Sequence, residues 1–385
     1  MANYPQLDDQ IGVWKLKDVN DAVMGGYWRV HGSRGLCAGG NEGGVGGSNI
    51  IDFVTLSTAG NAADFGDCTT VQERTGAISS NIRFLCDTSN SPGYNGVEYV
   101  QFMTTGNTAD FGDHTAGRYF TGSASNSVRG LKFGGETGPS DSNVIDYCTM
   151  ASTGNFVDFG NLTQARRNPS GVSNQTRGVA AGGANANELT VYNIMDFVTI
   201  ASTGNAVDFG DKTSAIMTSA PINSSTRGIF AGGAGNAPGY DEKNEIDFIT
   251  IATTGNAIDF GDMSQNTAAP AGSSNSIRGL IAGGAENLIP AHSLVDDIVY
   301  VTIASAGRSV DFGNLVAEYN IGHSAGTGDS TRAVFCCGYV EPAPSAKSNV
   351  IQYVSFATGG NAVDFGDARD NERYRAAQSN AHGGL

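Results

Sequence analysis

The tripeptide Asp-Phe-Gly occurs seven times in this chain, at Asp64-Phe65-Gly66, Asp110-Phe111-Gly112, Asp158-Phe159-Gly160, Asp208-Phe209-Gly210, Asp259-Phe260-Gly261, Asp311-Phe312-Gly313 and Asp364-Phe365-Gly366. Successive Phe residues lie 46, 48, 50, 51, 52 and 53 positions apart. A unit of about fifty residues repeated this often excludes most folds, because each unit must be one supersecondary piece that buries its apolar face against its neighbours. The unit reads most clearly over residues 223–262, where the run from Arg227 to Gly233 precedes two further runs, Ile246 to Thr253 and Ala257 to Phe260. Between the last two stands Thr254-Gly255-Asn256, whose Gly and Asn tolerate the positive φ of a tight hairpin turn. Ile246 to Ile251 carries apolar groups on both alternating faces, which predicts a strand packed between sheets on both sides. An all-β, seven-bladed propeller of four-stranded sheets meets both requirements.

The chain has 54 Gly and only 16% charged residues, in keeping with short strands joined by tight turns. Its formal charge of −16 repels phosphate backbones and anionic lipid, so nucleic acid is not an expected partner. No apolar run approaches the ~18 residues of a membrane span, and Met1-Ala2-Asn3-Tyr4-Pro5 lacks the basic start of a secretory signal. The six cysteines, Cys37, Cys68, Cys86, Cys148, Cys336 and Cys337, form no CxxC pair. Cys37 and Cys86 stand in the run where another unit has Phe230 and Ala231 and read as small buried hydrophobes, and neither a disulfide framework nor a zinc site is expected in a reducing cytoplasm. Asp-Phe-Gly here lacks the Gly-rich loop, strand Lys and His-Arg-Asp loop that accompany it in kinases. The five histidines are scattered, and no nucleophile, base and orienter are brought together by spacing. Neither catalysis nor a metal or cofactor is expected.

Every unit has one Arg at the start of its Gly-Gly strand (Arg34, Arg83, Arg129, Arg177, Arg227, Arg278, Arg332) and one Asp opening Asp-Phe-Gly. Seven of each predicts that each Arg pairs with an Asp or a turn carbonyl within or between blades. Structural ion pairs are accordingly expected among Arg129, Arg177, Arg227, Arg278 and Asp158, Asp208, Asp259, Asp311. The chain enters its first unit at Ser33-Arg34-Gly35, already on the Gly-Gly strand, and its tail Ser379-Asn380-Ala381 is like Ser274-Asn275-Ser276, which precedes that strand elsewhere. Residues 33–385 are therefore expected to form the propeller, with residues 369–385 closing blade one and removing an exposed sheet edge.

In a four-stranded meander the strand 2–3 and strand 4–1 connections share one face. Residues carried by the variable loops there include Tyr94, Tyr192, Tyr240, Asp241, Glu242, His292, Tyr339 and Glu341. Variable, Tyr-bearing loops on a rigid ring suit recognition of a protein or a glycan.

The run Arg177 to Gly183, ending in a Gly doublet, and its echoes at Arg129, Arg227 and Arg278 resemble the kelch motif, although the later Tyr and Trp of that motif are replaced by the Asp-Phe-Gly strand. Residues 1–32 stand outside the repeat as a docking or anchor segment and hold both tryptophans. The segment Gly12-Val13-Trp14 to Gly25-Gly26-Tyr27-Trp28 resembles one found in tail and fibre proteins of bacteriophages, and Ser202 to Asp211 resembles repeats of virion proteins from marine phages. The resemblance implies a tail-associated virion structural protein, assembled in the host cytoplasm and present in several copies. Trp14, Tyr27 and Trp28 would anchor it to other virion proteins, and the propeller would meet a host-surface glycan or protein or act as an adaptor. A cellular kelch-type protein-binding scaffold is the second reading, and a propeller enzyme acting on glycans the third.

Overall fold

The computed structural model describes residues 33–41, 47–72, 76–88, 94–138, 140–286, 293–316, 319–320, 326–340, 347–372 and 375–381. Seven antiparallel sheets form the blades, each with four strands from innermost to outermost; Tyr319–Asn320 adds a fifth strand to the last blade, and Ala285–Glu286 pairs with Ser293–Leu294 in a separate ribbon. Blade 4 is typical: Ser170–Ser173 innermost, then Arg177–Ala181, Ile194–Thr199 and, outermost, Val207–Asp211. The innermost strands of successive blades touch all the way round, so the ring is a closed, seven-bladed β-propeller. Blade 1 is assembled from the two ends of this unit. Its innermost strand is Ala376–Ser379, paired antiparallel with Arg34–Ala38 in the register Leu36 to Gln378 and Ala38 to Ala376.

The core lies between the blades. One cluster joins Val172, Val179, Met195 and Phe209 of blade 4 to Phe230, Ile249 and Ile251 of blade 5, and comparable clusters fill the other seams. Each Phe of Asp-Phe-Gly is buried. It meets an aromatic ring of its own third strand edge-on, at centroid distances from 5.5 Å for Tyr353–Phe365 to 5.9 Å for Phe53–Phe65, a favoured geometry for aromatic pairs.

The Gly that follows has a separate task. Gly160 adopts φ +145°, and a Cβ there would stand 2.4 Å from the Gly204 carbonyl oxygen of the next blade. Only glycine lets the two backbones come this close. The approach allows three hydrogen bonds across the seam: Gly204 N donates to Phe159 O, Ala206 N to Asn161 O, and Asn161 N to Asn205 Oδ1. The two backbone bonds recur at all seven seams. The side-chain bond recurs through Asn107, Asn155, Asn256, Asn361 and Asn61; at the seam between blades 5 and 6 Arg308 stands in place of the Asn. The repeated Thr-Gly-Asn and Asp-Phe-Gly strings are thus the two halves of one inter-blade clasp.

The arginine row departs from the expected ion pairs. Arg129 Nη1 donates to Ile200 O of the next blade at 2.7 Å, Arg177 to Ile251 O, Arg227 to Ile303 O and Arg278 to Phe356 O. Arg34, Arg83 and Arg332 do the same to Phe102, Met150 and Leu56. Each guanidinium also lies over the third-strand aromatic of its own blade, 4.5 Å from the Tyr147 ring for Arg129 and 4.6 Å from the Phe197 ring for Arg177. Asp158, Asp208, Asp259 and Asp311 are exposed on the outer strands instead. The first three each accept the amide of their own Gly at Oδ1. Strand alternation is the reason: burying Phe against the sheet turns its neighbouring Asp outward, away from the arginines.

Against the expectation of no disulfide framework, Cys37 and Cys336 bring their sulfurs together as a disulfide pair across the seam of blades 1 and 7. Their Cα atoms are 7.6 Å apart, wider than the roughly 4.4–6.8 Å usual for a disulfide.

Candidate functional site

A channel of about 560 Å³ follows the innermost strands. Its wall is made of small uncharged residues, among them Ser123, Ser125, Ser173, Asn223, Ser274 and Ser379. Several of these residues also tie the ring together. Ser125 Oγ donates to Ser79 O of the preceding blade, Ser173 Oγ to Ser125 O, Asn223 Nδ2 to Ser173 O, Ser274 Oγ to Asn223 O, and Ser379 Oγ to Gly328 O. Gly328 has no side chain with which to continue the series. Arg375 is the one charged residue among the described residues of the wall. Its guanidinium is turned into the protein, bonding Asp52 at 2.8 Å, Glu372 at 2.9 Å and the carbonyls of Gly39 and Cys37. Burial alone would lower its pKa, but Glu372 and Asp52 hold it above its ordinary value.

The buried ion pairs use a different acid from the expected one. In blades 1, 3, 4 and 5 the third strand carries a buried Asp between apolar neighbours: Asp52, Asp146, Asp196 and Asp247. The connection entering the same blade satisfies it. Arg118 Nη2 lies 2.5 Å from Asp146, Arg166 Nη1 lies 2.9 Å from Asp196, and the hydroxyls of Thr115, Thr163 and Thr213 donate to Asp146, Asp196 and Asp247. Between blades 2 and 3, Asp87 receives Lys132 Nζ at 2.9 Å and faces His114 Nε2 at 3.0 Å. Burial pushes the Asp87 carboxyl up, yet Lys132 and His114 together hold it well below the ordinary carboxylate range.

On the loop face, blades 3, 4 and 5 are laced together. Arg167, on the connection entering blade 4, pairs with Glu136 of blade 3 and, at 2.6 Å, with Glu188 of blade 4. Tyr240 of blade 5 donates its hydroxyl to Glu188 at 2.5 Å, and Tyr119 donates to Glu136 at 2.8 Å. Bonding to Glu188 pushes the Tyr240 phenol up, and burial does the same for Tyr119. Arg167, Glu136, Glu188 and Tyr119 were not anticipated from the sequence, since nothing marks contacts between loops about fifty residues apart.

Of the anticipated residues, Tyr94 is exposed on blade 2, Tyr192 is half-buried with its amide on Gly183 O, and Asp241 is exposed beside Lys243 Nζ at 2.5 Å. Glu242 opens the third strand of blade 5 opposite Ala234. Tyr339 lies on the second strand of blade 7, its backbone opposite Lys347. His292, Glu341, Trp14, Tyr27 and Trp28 lie outside the described residues. Tyr240, Asp241 and Glu242 are contiguous, and only Tyr240 of the anticipated tyrosines enters the Arg167 network; no described hydrogen bond or ring contact joins Tyr94, Tyr192 and Tyr240 to one another.

No family model matches the chain, and no curated protein matches it. Among solved structures it is similar to that of YjhT, with a TM-score of 0.58 at 11% identity over 76% of this chain and 97% of that one. The fold is shared. At this identity the likeness extends to architecture and not to a site.

Proposed function

We propose that this chain is a structural protein of a virus particle, tail-associated, whose propeller presents its loop face to a host-surface glycan or protein or to another particle protein. The structural observation that carries the recognition reading is the lacing of three neighbouring loops by Arg167, Glu136, Glu188, Tyr119 and Tyr240 on a ring clasped at every seam. Loops held in one conformation bind without first losing conformational freedom. The particle assignment is supported by the resemblance of the N-terminal and Ser-Thr-Gly-Asn repeat motifs. Gold-labelled antibody against the propeller, applied to purified particles and viewed by electron microscopy, tests both parts. Label at the tail that blocks adsorption to host cells supports recognition, whereas label on the head or at a junction assigns an adaptor role. Particles that carry no label return the chain to the cellular scaffold reading.

A further inference from the structure

Among the described residues, Lys212 is a buried cation for which no ion pair is described. It lies on the connection entering blade 5, where the other blades carry Cys68, His114, Leu162, Met263, Leu315 and Ala368. It is 4% exposed, and its one described side-chain hydrogen bond runs from Nζ to Ser219 Oγ at 2.9 Å. The Phe230 ring lies 5.6 Å from the same nitrogen. By contrast, Lys132 and Arg166 each bond a carboxylate within 2.9 Å. Burying a lysine against one neutral hydroxyl favours the uncharged amine. Burial accordingly pushes the Lys212 ammonium down to about 8, with Asp247 and Glu245 of the blade 5 third strand opposing that shift at longer range. An uncharged amine can accept the proton of the hydroxyl it touches.

Ser219 is one of the residues lining the channel, beside Asn168, Pro169, Ser170, Thr218 and Pro221. Thr218, immediately before it, has φ +57°, as Phe120, Asn168 and Ala269 have positive φ at the same place of their own blades. We propose that Ser219, with Lys212 as its base, is the nucleophile of an ester-cleaving site at the channel wall that acts on small neutral esters such as an O-acetylated sugar. The substrate class follows from the described wall: it offers hydroxyls, amides and backbone, and Arg375, the one cation among its described residues, is already bound to Asp52 and Glu372. In the first step Ser219 Oγ bonds to the acyl carbon while its proton passes to Lys212 Nζ. The alcohol then leaves with that proton. Water next attacks the acyl-serine, giving a proton to Lys212, and Ser219 takes that proton back as the carboxylic acid departs. This goes beyond the recognition reading and does not depend on it.

The full chain is treated with diisopropyl fluorophosphate from pH 6 to pH 10 and mapped by peptide mass spectrometry, with p-nitrophenyl acetate turnover followed in parallel. In the labelling step the Ser219 O–P bond forms, fluoride leaves and Lys212 takes the proton. The expected result is one adduct, on Ser219, at a rate that rises through about pH 8. Lys212→Met should slow labelling and turnover by about 100-fold or more, and Ser219→Ala should abolish both. Wild type without a Ser219 adduct, a flat pH profile, or a folded Lys212→Met protein that labels at the wild-type rate would each overturn the assignment. The wild-type profile decides the matter even where Lys212→Met fails to fold.

Discussion

Gly160→Ala and Gly204→Ala form a matched pair that isolates the inter-blade clasp. Both glycines have positive φ, +145° and +155°, so both alanines incur backbone strain of about 1–3 kcal/mol. Only the first also meets an obstacle: its Cβ would lie 2.4 Å from Gly204 O, while nothing lies within 4 Å of a Cβ at Gly204. Relieving that overlap forces the turn of blade 4 away from the outer strand of blade 3. The bonds from Gly204 N to Phe159 O, Ala206 N to Asn161 O and Asn161 N to Asn205 Oδ1 are then lost together. At about 1 kcal/mol each the difference between the variants is about 3 kcal/mol. A propeller of about 350 residues has an unfolding entropy near 0.7 kcal/mol/K, so Gly160→Ala should melt about 4 °C below Gly204→Ala by scanning calorimetry. Equal melting temperatures would refute the clasp, because strain alone would then account for both.

Three further outcomes follow from the same contacts. Arg308→Asn should restore the missing side-chain bond to the Asp262 amide and stabilise by about 1 kcal/mol, read as a rise of 1–2 °C in the same assay; no rise would mean that this seam cannot close on an Asn. Arg375→Met leaves Asp52 with Arg369 alone and removes the described cation beside buried Glu372, a loss of about 3 kcal/mol that should appear as rapid proteolytic release of the 376–379 strand. Asp87 has a folded-state pKa depressed below its unfolded value, so its contribution is present above about pH 4 and is lost as pH falls further. The melting gap between wild type and Asp87→Asn should therefore be full at pH 6 and shrink below pH 4, and a gap unchanged at pH 3 would contradict the pairing with Lys132 and His114.

Blade number and strand composition were legible because seven copies of one string with a Gly-Asn turn before it leave a single architecture open. The turn-carbonyl alternative for the arginines was legible too, and the Asp alternative was not realised. The buried acids were hidden for a physical reason. Asp52, Asp146, Asp196 and Asp247 sit inside runs such as Ile-Asp-Phe that read as apolar on both faces, and blades 6 and 7 replace them with Val299 and Gln352. Their partners Arg118, Arg166 and Arg375 lie on connections with no shared spelling. Lys212 and Ser219 are seven residues apart on an irregular connection, where neither helical nor strand spacing announces contact. The glycine of Asp-Phe-Gly could be read as a turn residue, but the need for it is set by a neighbouring blade about forty-five residues away.

Blade 1 depends on both ends of the propeller, since Arg34–Ala38 gains its inner partner only from Ala376–Ser379. Leu36 and Ala38, both fully buried in the finished ring, are made before the other six blades and wait through all of them for that cover. A growing chain that halts before Ala376 carries a strand with an open edge, the kind that recruits other chains. Closure of the ring thus waits for Ala376–Ser379 to be made, and a copy that lacks this strand is marked by the edge it still exposes.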